Sequence, residues 1–475
     1  MGILKWRWFE RLDYSNDLFS FLEMSRSMLR GKPLLWSNYW GDHRAIHNYY
    51  IVPLTAPLTV PFGAVGLFVA LLLGFGACLV FLSFVERRVA PGRRVVYWIV
   101  AATFLLGPVS WWLIDDLPYG WHPEVLYLPV GFALVTALVT GRKRAAAVCI
   151  VVLSLIHEGA AILGWAISAV AVVEREDDQI PWRDLIPITI FWGALFVAGL
   201  FLQHSFLPRG ETGRLQQAIF RLRLLDHKEI AVPLLRSLVD AVALLLTGLL
   251  PLLAGLRPRR PLWHVFVIIV LLVPSLVGSM PYTYWLPELR NHALAWGPRF
   301  TVLWTYLACV LVVSAFRGRT ASIGGRRAMA VVALGFVLQA VTLFGARRYD
   351  VAARVASALE ARELPWLSAH EGEILACMGK RLPTWTEVAA PRRFFAFFER
   401  QEMFWPDRLP ANGLPDVAVL STAARPEVQD GLELRSATSQ MGMAEAGRTG
   451  RLEIFAVPGF KATVDGCVET SGDGR

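Results

Sequence analysis

The chain has 475 residues, of which 55% are hydrophobic, and its formal net charge is +9 at neutral pH. Its mean hydropathy is +0.46, and a typical soluble domain is only about 45–50% apolar, so the composition disfavours a water-soluble globular protein. The Lys and Arg residues lie in short clusters between apolar blocks, as in multi-pass membrane proteins. With no RNP-like motif or zinc-finger spacing, this basicity does not indicate nucleic acid binding.

The first 50 residues contain neither a membrane span nor a signal peptide. Ser15, Asn16 and Asp17 precede the apolar stretch Leu18–Leu29. Such a cluster is typical of a helix N-cap, and Asp17 is also a candidate functional carboxylate. We predict that residues 1–62 form a first extracytoplasmic loop containing amphipathic helices.

A second polar group follows at Gly41-Asp42-His43, beside Arg44 and several aromatic residues. Gly-Asp favours a turn, which explains the group without a function. The density of Trp and Tyr beside ionisable side chains is equally typical of a sugar-binding surface or a membrane interface. Both interpretations stay open for Asp42 and His43.

Apolar blocks follow, several of which approach the roughly 20 residues that cross about 30 Å of hydrocarbon. We predict a transmembrane helical domain over residues 63–346 with about ten spans. The spans are predicted at 63–85, 95–114, 123–140, 144–156, 158–173, 184–203, 233–255, 262–280, 299–316 and 328–346.

The fourth and fifth blocks form either one long helix or two short helices that meet at His157-Glu158-Gly159. Two short helices place most basic clusters on one side of the membrane, which favours this hairpin. The basic stretch 204–232 is the exception and is predicted to lie along the membrane surface as an amphipathic segment. This topology places both termini outside the cytoplasm. We therefore expect either that a first membrane helix is missing upstream of Met1 or that Trp6–Phe21 lies in the membrane interface as an amphipathic helix.

Ionisable residues beside or within apolar blocks are costly, which makes them functional candidates. His122 and Glu124 open the third span, where a Glu near a helix N-terminus and Pro123 in the first turn also fit a structural role. His157 and Glu158 lie within apolar sequence, and a buried Glu needs a partner.

A weaker group surrounds Tyr282 and Tyr284, followed by Arg290 and Arg299; an aromatic interface belt explains it equally well. Converging acids and imidazoles would also suit a divalent cation, although no HExxH motif is present. The candidate ligands are Asp42, His43, His122, Glu124, His157 and Glu158. Nucleophile elbows are missing, so a serine hydrolase has no support.

The C-terminal region, residues 347–475, is predicted to be a small extracytoplasmic α/β domain. It has a helical stretch at 351–362 and strand-like runs at 417–420 and 452–457, separated by Pro and Gly. Cys377 and Cys467 would share an oxidising compartment, where a disulfide is permitted.

The order of these motifs resembles the DUF2079 group of bacterial membrane proteins, which is classed with the GT-C glycosyltransferases. The motifs are Asp17-Leu18, Gly-Lys-Pro-Leu-Leu at 31–35, Gly41-Asp42-His43, His122-Pro123-Glu124 and Glu158 in the short helix pair. The chain departs from the family in the missing first helix, and in having His157-Glu158-Gly159 where the family has a Lys-Glu-Asp-like triplet.

The resemblance implies an all-α, GT-C-like helical bundle in the bacterial inner membrane that takes a sugar from a polyprenyl-phosphate donor at the outer face. It implies that Asp17 is the catalytic base and Asp42 the second acidic candidate, with no certain cofactor. The substrate-binding candidates are His43, His122, Glu124, His157, Glu158, Tyr282, Tyr284, Arg290 and Arg299.

The main alternative is a transporter or flippase with an intramembrane His/Glu relay. A transporter is expected to carry polar residues near mid-bilayer in broken helices of both halves. A scaffold without catalysis is the third interpretation. The sequence places most of the unusual polar residues at one face, which favours the transferase.

Overall fold

The structure is a computed structural model. It describes residues 2–12, 14, 17–89, 91–106, 120–175, 182–207, 245, 260–272, 297–317, 330, 333–334, 337, 367–405, 415–421 and 443–472. The predicted spans 233–255 and 328–346, the surface segment 204–232 and the helical stretch 351–362 lie largely or wholly outside these residues.

Helices dominate the described residues before position 320. In chain order they are α1 (Gly2–Glu10), α2 (Asp17–Arg26), α3 (Ala56–Phe62), α4 (Val65–Glu86), α5 (Arg94–Leu106), α6 (Tyr127–Val139), α7 (Lys143–Ser154), α8 (Ala160–Val173), α9 (Trp182–Ser205), α10 (Pro261–Leu272) and α11 (Gly297–Phe316). Spans predicted from hydropathy coincide with α4, with α6 to α9 and with α11, to within a few residues.

Two of these helices, α4 and α9, are long and apolar enough to cross a membrane by length and composition. They leave most of their apolar surface uncovered: Leu73 is 61% exposed, Val80 68%, Ile190 66% and Phe201 75%. A core helix of a soluble protein buries such side chains, because each apolar side chain left in water forgoes about 1.5–3 kcal/mol of burial. In a lipid bilayer these side chains are not exposed to water, so this free energy is not lost.

The chain reverses direction between α7 and α8. Tyr127 near the start of α6 lies beside Gly159, and farther along Gly131 lies beside Ile167 of α8, so α6 and α8 run in parallel. Because α7 returns from the far end of α6, α7 and α8 are antiparallel. The prediction of two short helices meeting at residues 157–159 is confirmed.

The C-terminal region folds around a mixed sheet, with strands β3 (Glu387–Ala389), β4 (Glu402–Phe404), β5 (Val417–Ser421), β6 (Ala444–Thr449) and β7 (Leu452–Ala456) in the order β4-β3-β5-β7-β6. Strand β3 pairs in parallel with β4 and β5, and the other pairs are antiparallel. Both predicted strands, at 417–420 and 452–457, are confirmed.

Two helices accompany this sheet, α12 (Ala369–Arg381) and α13 (Pro458–Gly472). Helix α12 begins with a capping box between Ser368 and Glu371. A disulfide between Cys377 and Cys467 joins the two helices. The pairing that the sequence permitted is therefore formed.

A polar seam joins the C-terminal domain to the N-terminal segment. Arg30 pairs with Glu402 at 3.0 Å, and Lys32 also contacts that carboxylate. Asn38 Nδ2 donates to Glu23 Oε1 at 3.1 Å and to the Met403 carbonyl at 3.0 Å. The C-terminal domain is thus fixed to α2 and to the loop that follows it.

Glu23 is the most unusual group of this seam. Burial raises its pKa from the usual 4.5 to about 8; a hydrogen bond from the Asn38 backbone lowers it, and the nearby Glu402 carboxylate raises it further. Between these two pH values the folded chain holds a proton that the unfolded chain has released. The contribution of Glu23 to stability is therefore expected to fall as the pH rises through that interval.

Glu23→Gln tests this dependence. The amide keeps an acceptor for Asn38 but cannot ionise, so the gain in stability of the variant over wild type is expected to grow from about pH 5 to about pH 8. Unfolding in detergent across a pH series measures the difference. Glu373→Gln, at an exposed position of α12, is the control and is expected to give no such trend.

Candidate functional site

Ionisable and aromatic side chains from three separate segments converge at one end of the helices. They come from the loop before α3, the turn before α6 and the break between α7 and α8. The members of this His/Glu cluster are His43, His47, Tyr49, His122, Glu124, His157 and Glu158.

The first segment is shaped by a short hairpin of β1 (Trp36–Ser37) and β2 (Gly41–Asp42). Gly41 has φ +68°, a backbone conformation that glycine adopts without strain. The Asp42 side chain then accepts a hydrogen bond from Arg44 N at 3.1 Å and caps a 3-10 turn over His43–Ala45. This turn directs His43 and His47 towards the cluster.

Asp42 itself forms an ion pair with Arg44, whose Nε lies 2.8 Å from Oδ1 and whose Nη2 lies 2.5 Å from Oδ2. The Arg44 guanidinium also lies over the Phe206 ring, 4.0 Å from its centroid, just after α9. The structure therefore places Asp42 at the edge of the cluster, where it orients the Arg44 guanidinium.

Glu124 forms the floor of the cluster and is 4% exposed. Its Oε1 accepts a hydrogen bond from the Tyr49 hydroxyl at 3.2 Å, and its Oε2 contacts His122 Nδ1. The same hydroxyl lies 3.3 Å from His122 Nε2. Phe21 of α2 closes this floor, with its ring centroid 5.2 Å from His122 and 5.6 Å from Tyr49.

Glu158 lies at the more exposed rim. Its Oε1 is 3.0 Å from His47 Nδ1 and 3.3 Å from His157 Nε2, and its Oε2 accepts from Asn48 N at 3.3 Å. His157 Nε2 also lies 3.8 Å from Glu124 Oε1. One imidazole therefore stands between the two carboxylates.

Stacked rings hold the rim over the floor. Tyr49 stacks on His43, with centroids 5.4 Å apart, and on His47 at 4.7 Å. His47 in turn lies 4.8 Å from the His157 ring. Asn48 Nδ2 donates to the Gly199 carbonyl at 3.2 Å, which attaches this loop to the end of α9.

The structure thus brings together five of the substrate-binding residues that the sequence nominated: His43, His122, Glu124, His157 and Glu158. Asp17 begins α2, is partly buried and lies one turn before Phe21. Tyr282, Tyr284 and Arg290 lie outside the described residues, as does the side chain of Arg299 in α11.

Sequence reasoning missed His47 and Tyr49, which supply contacts to both carboxylates. One signal was available: His47 follows His43 by four residues, the spacing that puts two side chains on one face of a helical turn. The aromatic composition of this loop concealed it, because interfacial loops are commonly rich in aromatic residues.

The side chains that could coordinate a divalent cation lie at the rim. Ligand atoms of His47, His157 and Glu158 all lie within 4.8 Å of one another. Two imidazoles and one carboxylate with an open fourth position are a common zinc ligand set. By residue type and separation these three side chains fit such an ion.

Tyr49→Phe tests the contacts that the Tyr49 hydroxyl makes with Glu124 and His122. Loss of the hydroxyl removes one hydrogen-bond partner from Glu124 Oε1 and one from His122 Nε2 in a buried place, so the variant is expected to lose about 1–3 kcal/mol of stability. Denaturant unfolding measures the loss. Tyr50→Phe, at the adjacent half-buried position, is the matched control, and an equal loss there would contradict the assignment.

Comparison with known proteins gives one structural similarity. No protein-family profile matches the chain, and no curated protein sequence matches it. The chain is similar to the crystal structure of ArnT from Cupriavidus metallidurans bound to undecaprenyl phosphate, with a TM-score of 0.48, 14% sequence identity and coverage of 96% of each chain.

Proposed function

We propose that the chain is a GT-C-type glycosyltransferase of the bacterial inner membrane, as its resemblance to the DUF2079 group implies. It would move a sugar from a polyprenyl-phosphate donor to an acceptor at the outer face. The observation that carries the proposal is the His/Glu cluster, in which two carboxylates and four imidazoles meet at one end of an apolar helical region.

A membrane location follows from the exposed apolar surfaces of α4 and α9. Leu73, Val80, Ile190 and Phe201 are each more than half exposed, as lipid-facing side chains are. We propose that the shorter apolar helices also cross or enter the bilayer, giving a multi-pass protein. Lipid would then be both the surrounding medium and the source of the donor.

The disulfide supports the proposal that the C-terminal domain lies on the outer side of the membrane. Cys377 and Cys467 need an oxidising compartment to remain paired, which supports a location of the C-terminal domain outside the cytoplasm. The seam ties that domain to Glu23 in α2, and Phe21 of the same helix contacts the floor of the cluster. The cluster would therefore face the same compartment, where lipid-linked sugars are used.

The chemistry requires a base for the acceptor hydroxyl, which is a weak nucleophile until its proton is accepted. Glu158 is the carboxylate we favour, because it lies at the rim between His47 and His157. Asp17, which the family resemblance nominates, remains a second candidate at the start of α2. Asp42 is less suited to this role, since it is paired with Arg44.

The leaving lipid phosphate gains negative charge and needs cations. Arg44 lies at the edge of the cluster, with its guanidinium oriented by Asp42. Arginine suits phosphate geometrically, so we assign this role to Arg44 together with the nominated Arg290 and Arg299. Tyr282 and Tyr284 remain proposed contacts to the substrate.

One observation favours the transporter or flippase alternative. At the other end of α8, His264 Nε2 lies 2.9 Å from Glu174 Oε1, and His264 Nδ1 lies 2.8 Å from the Tyr306 hydroxyl. Helix α8 has 14 residues and is therefore about 21 Å long, with Glu158 before its first residue and this triad at its other end. A proton relay enters and leaves the membrane at titratable groups, and the two clusters at the ends of α8 would supply these.

Glu158→Gln tests the transferase. In membranes supplied with a lipid-linked sugar, the variant is expected to lose about 10²–10⁴-fold in transfer rate, the usual contribution of a general base. Asp184→Asn, in an exposed pair with Arg175, is the control and should retain full activity. Undiminished transfer by Glu158→Gln would remove Glu158 from the role, and Asp17→Asn then tests the second candidate.

Glu174→Gln separates the two functions. A transferase that works at the rim is expected to keep its rate in this variant when the protein remains folded, because the carboxylate lies at the far end of α8. A proton-coupled transporter would lose its proton-dependent flux. Measured transfer and proton uptake in the same vesicles therefore give opposite results for the two candidates.

A further inference from the structure

We infer that His157 is held as a neutral imidazole whose Nε2–H positions the Glu158 carboxylate, and that it is not a metal ligand. The role that this gives Glu158 rests on the proposed function, whereas the state of the His157 ring does not. Nothing in the sequence motif distinguishes a donor from a ligand; the contacts of both ring nitrogens do.

The first contact fixes the proton on the ring. Gly159 N donates to His157 Nδ1 at 2.8 Å. A backbone N–H can only donate, so Nδ1 must present its lone pair, and a neutral imidazole then carries its hydrogen on Nε2. Gly159 is the residue before α8, so the start of that helix sets the tautomer.

The second contact directs that hydrogen. His157 Nε2 lies 3.3 Å from Glu158 Oε1 and 3.8 Å from Glu124 Oε1. Ionised carboxylates accept hydrogen bonds and cannot donate them. The Nε2–H is therefore directed towards the two acids, with Glu158 as the nearer partner.

Glu158 is held from other directions as well. His47 Nδ1 lies 3.0 Å from the same Oε1, and Asn48 N donates to Oε2 at 3.3 Å. Both carboxylate oxygens are thus oriented by donors from the loop before α3, while His157 fixes the carboxylate from its own turn. A base held in this way keeps its geometry while substrate binds.

A cation at the rim would contradict the first contact. Coordination through His157 Nε2 requires a lone pair on that atom, and the neutral ring then carries its hydrogen on Nδ1. That hydrogen would face the Gly159 N–H, so two donors would oppose each other. Residue types and separations alone fit a zinc ligand set; the contact from Gly159 N to His157 Nδ1 favours the hydrogen-bond donor.

Two substitutions separate donor from ligand. The new side chain of His157→Asn can accept from the Gly159 N–H, as Asn does in turns, but it lacks the distal donor. The new side chain of His157→Gln offers an amide N–H at a reach similar to Nε2. If His157 is a donor, His157→Asn is expected to lose about 100-fold in kcat, the size of effect that misplacement of about 1 Å produces, and His157→Gln much less.

The metal alternative predicts a different pattern for the same pair. Both variants would lose an imidazole ligand, so His157→Gln would be no better than His157→Asn. A chelator would abolish wild-type transfer and added zinc would restore it. Equal losses in the two variants together with chelator sensitivity would overturn the inference, and an unchanged KM would agree with a positioning role.

A readout independent of transfer is the nitrogen NMR spectrum of the histidine rings in the full chain. The His157 signals are assigned by their loss in His157→Asn. We expect a protonated Nε2 and an unprotonated Nδ1, unchanged by chelator or by zinc. A proton on Nδ1, or a zinc-dependent shift of Nε2, would overturn the inference even if no transferase activity is found; absent activity with the expected spectrum would overturn only the proposed function.

Discussion

Two carboxylates at the end of an apolar helical region impose the main constraint on this structure. A buried carboxylate is tolerated only where donors surround it, and Glu124 and Glu158, which lie in turns, each draw part of theirs from the loop before α3. The chain meets this requirement by breaking between α7 and α8, which exposes the turn at His157, and by bringing in the loop with His47 and Tyr49. The geometry of the site is therefore a consequence of supplying hydrogen-bond donors to two carboxylates.

Helix α2 couples that site to the C-terminal domain. One side of the helix presents Phe21 to the floor of the cluster, and Glu23 reaches the seam through Asn38. Folding of the sheet domain, its disulfide and the order of the site are thus physically linked through ten residues.

The second buried cluster shows that polar chemistry is not confined to one end. Glu174, His264 and Tyr306 satisfy one another where α8 ends, and such a triad stabilises the packing of three helices whatever else it does. The two proposed functions differ in whether this triad exchanges protons with the rim. A transferase needs it only as a fixed contact between helices.

Local pattern by itself determined the apolar helices, the break at His157-Glu158-Gly159 and the strands at 417–420 and 452–457, because periodicity and hydropathy are properties of neighbouring residues. The sequence also nominated most of the ionisable members of the cluster, because charge beside apolar sequence is costly wherever it lies. Only the tertiary structure decided the partners: His47 meets Glu158 across 111 residues, and Tyr49 meets Glu124 across 75 residues. Such pairings depend on how the helices pack, and no local spacing encodes them.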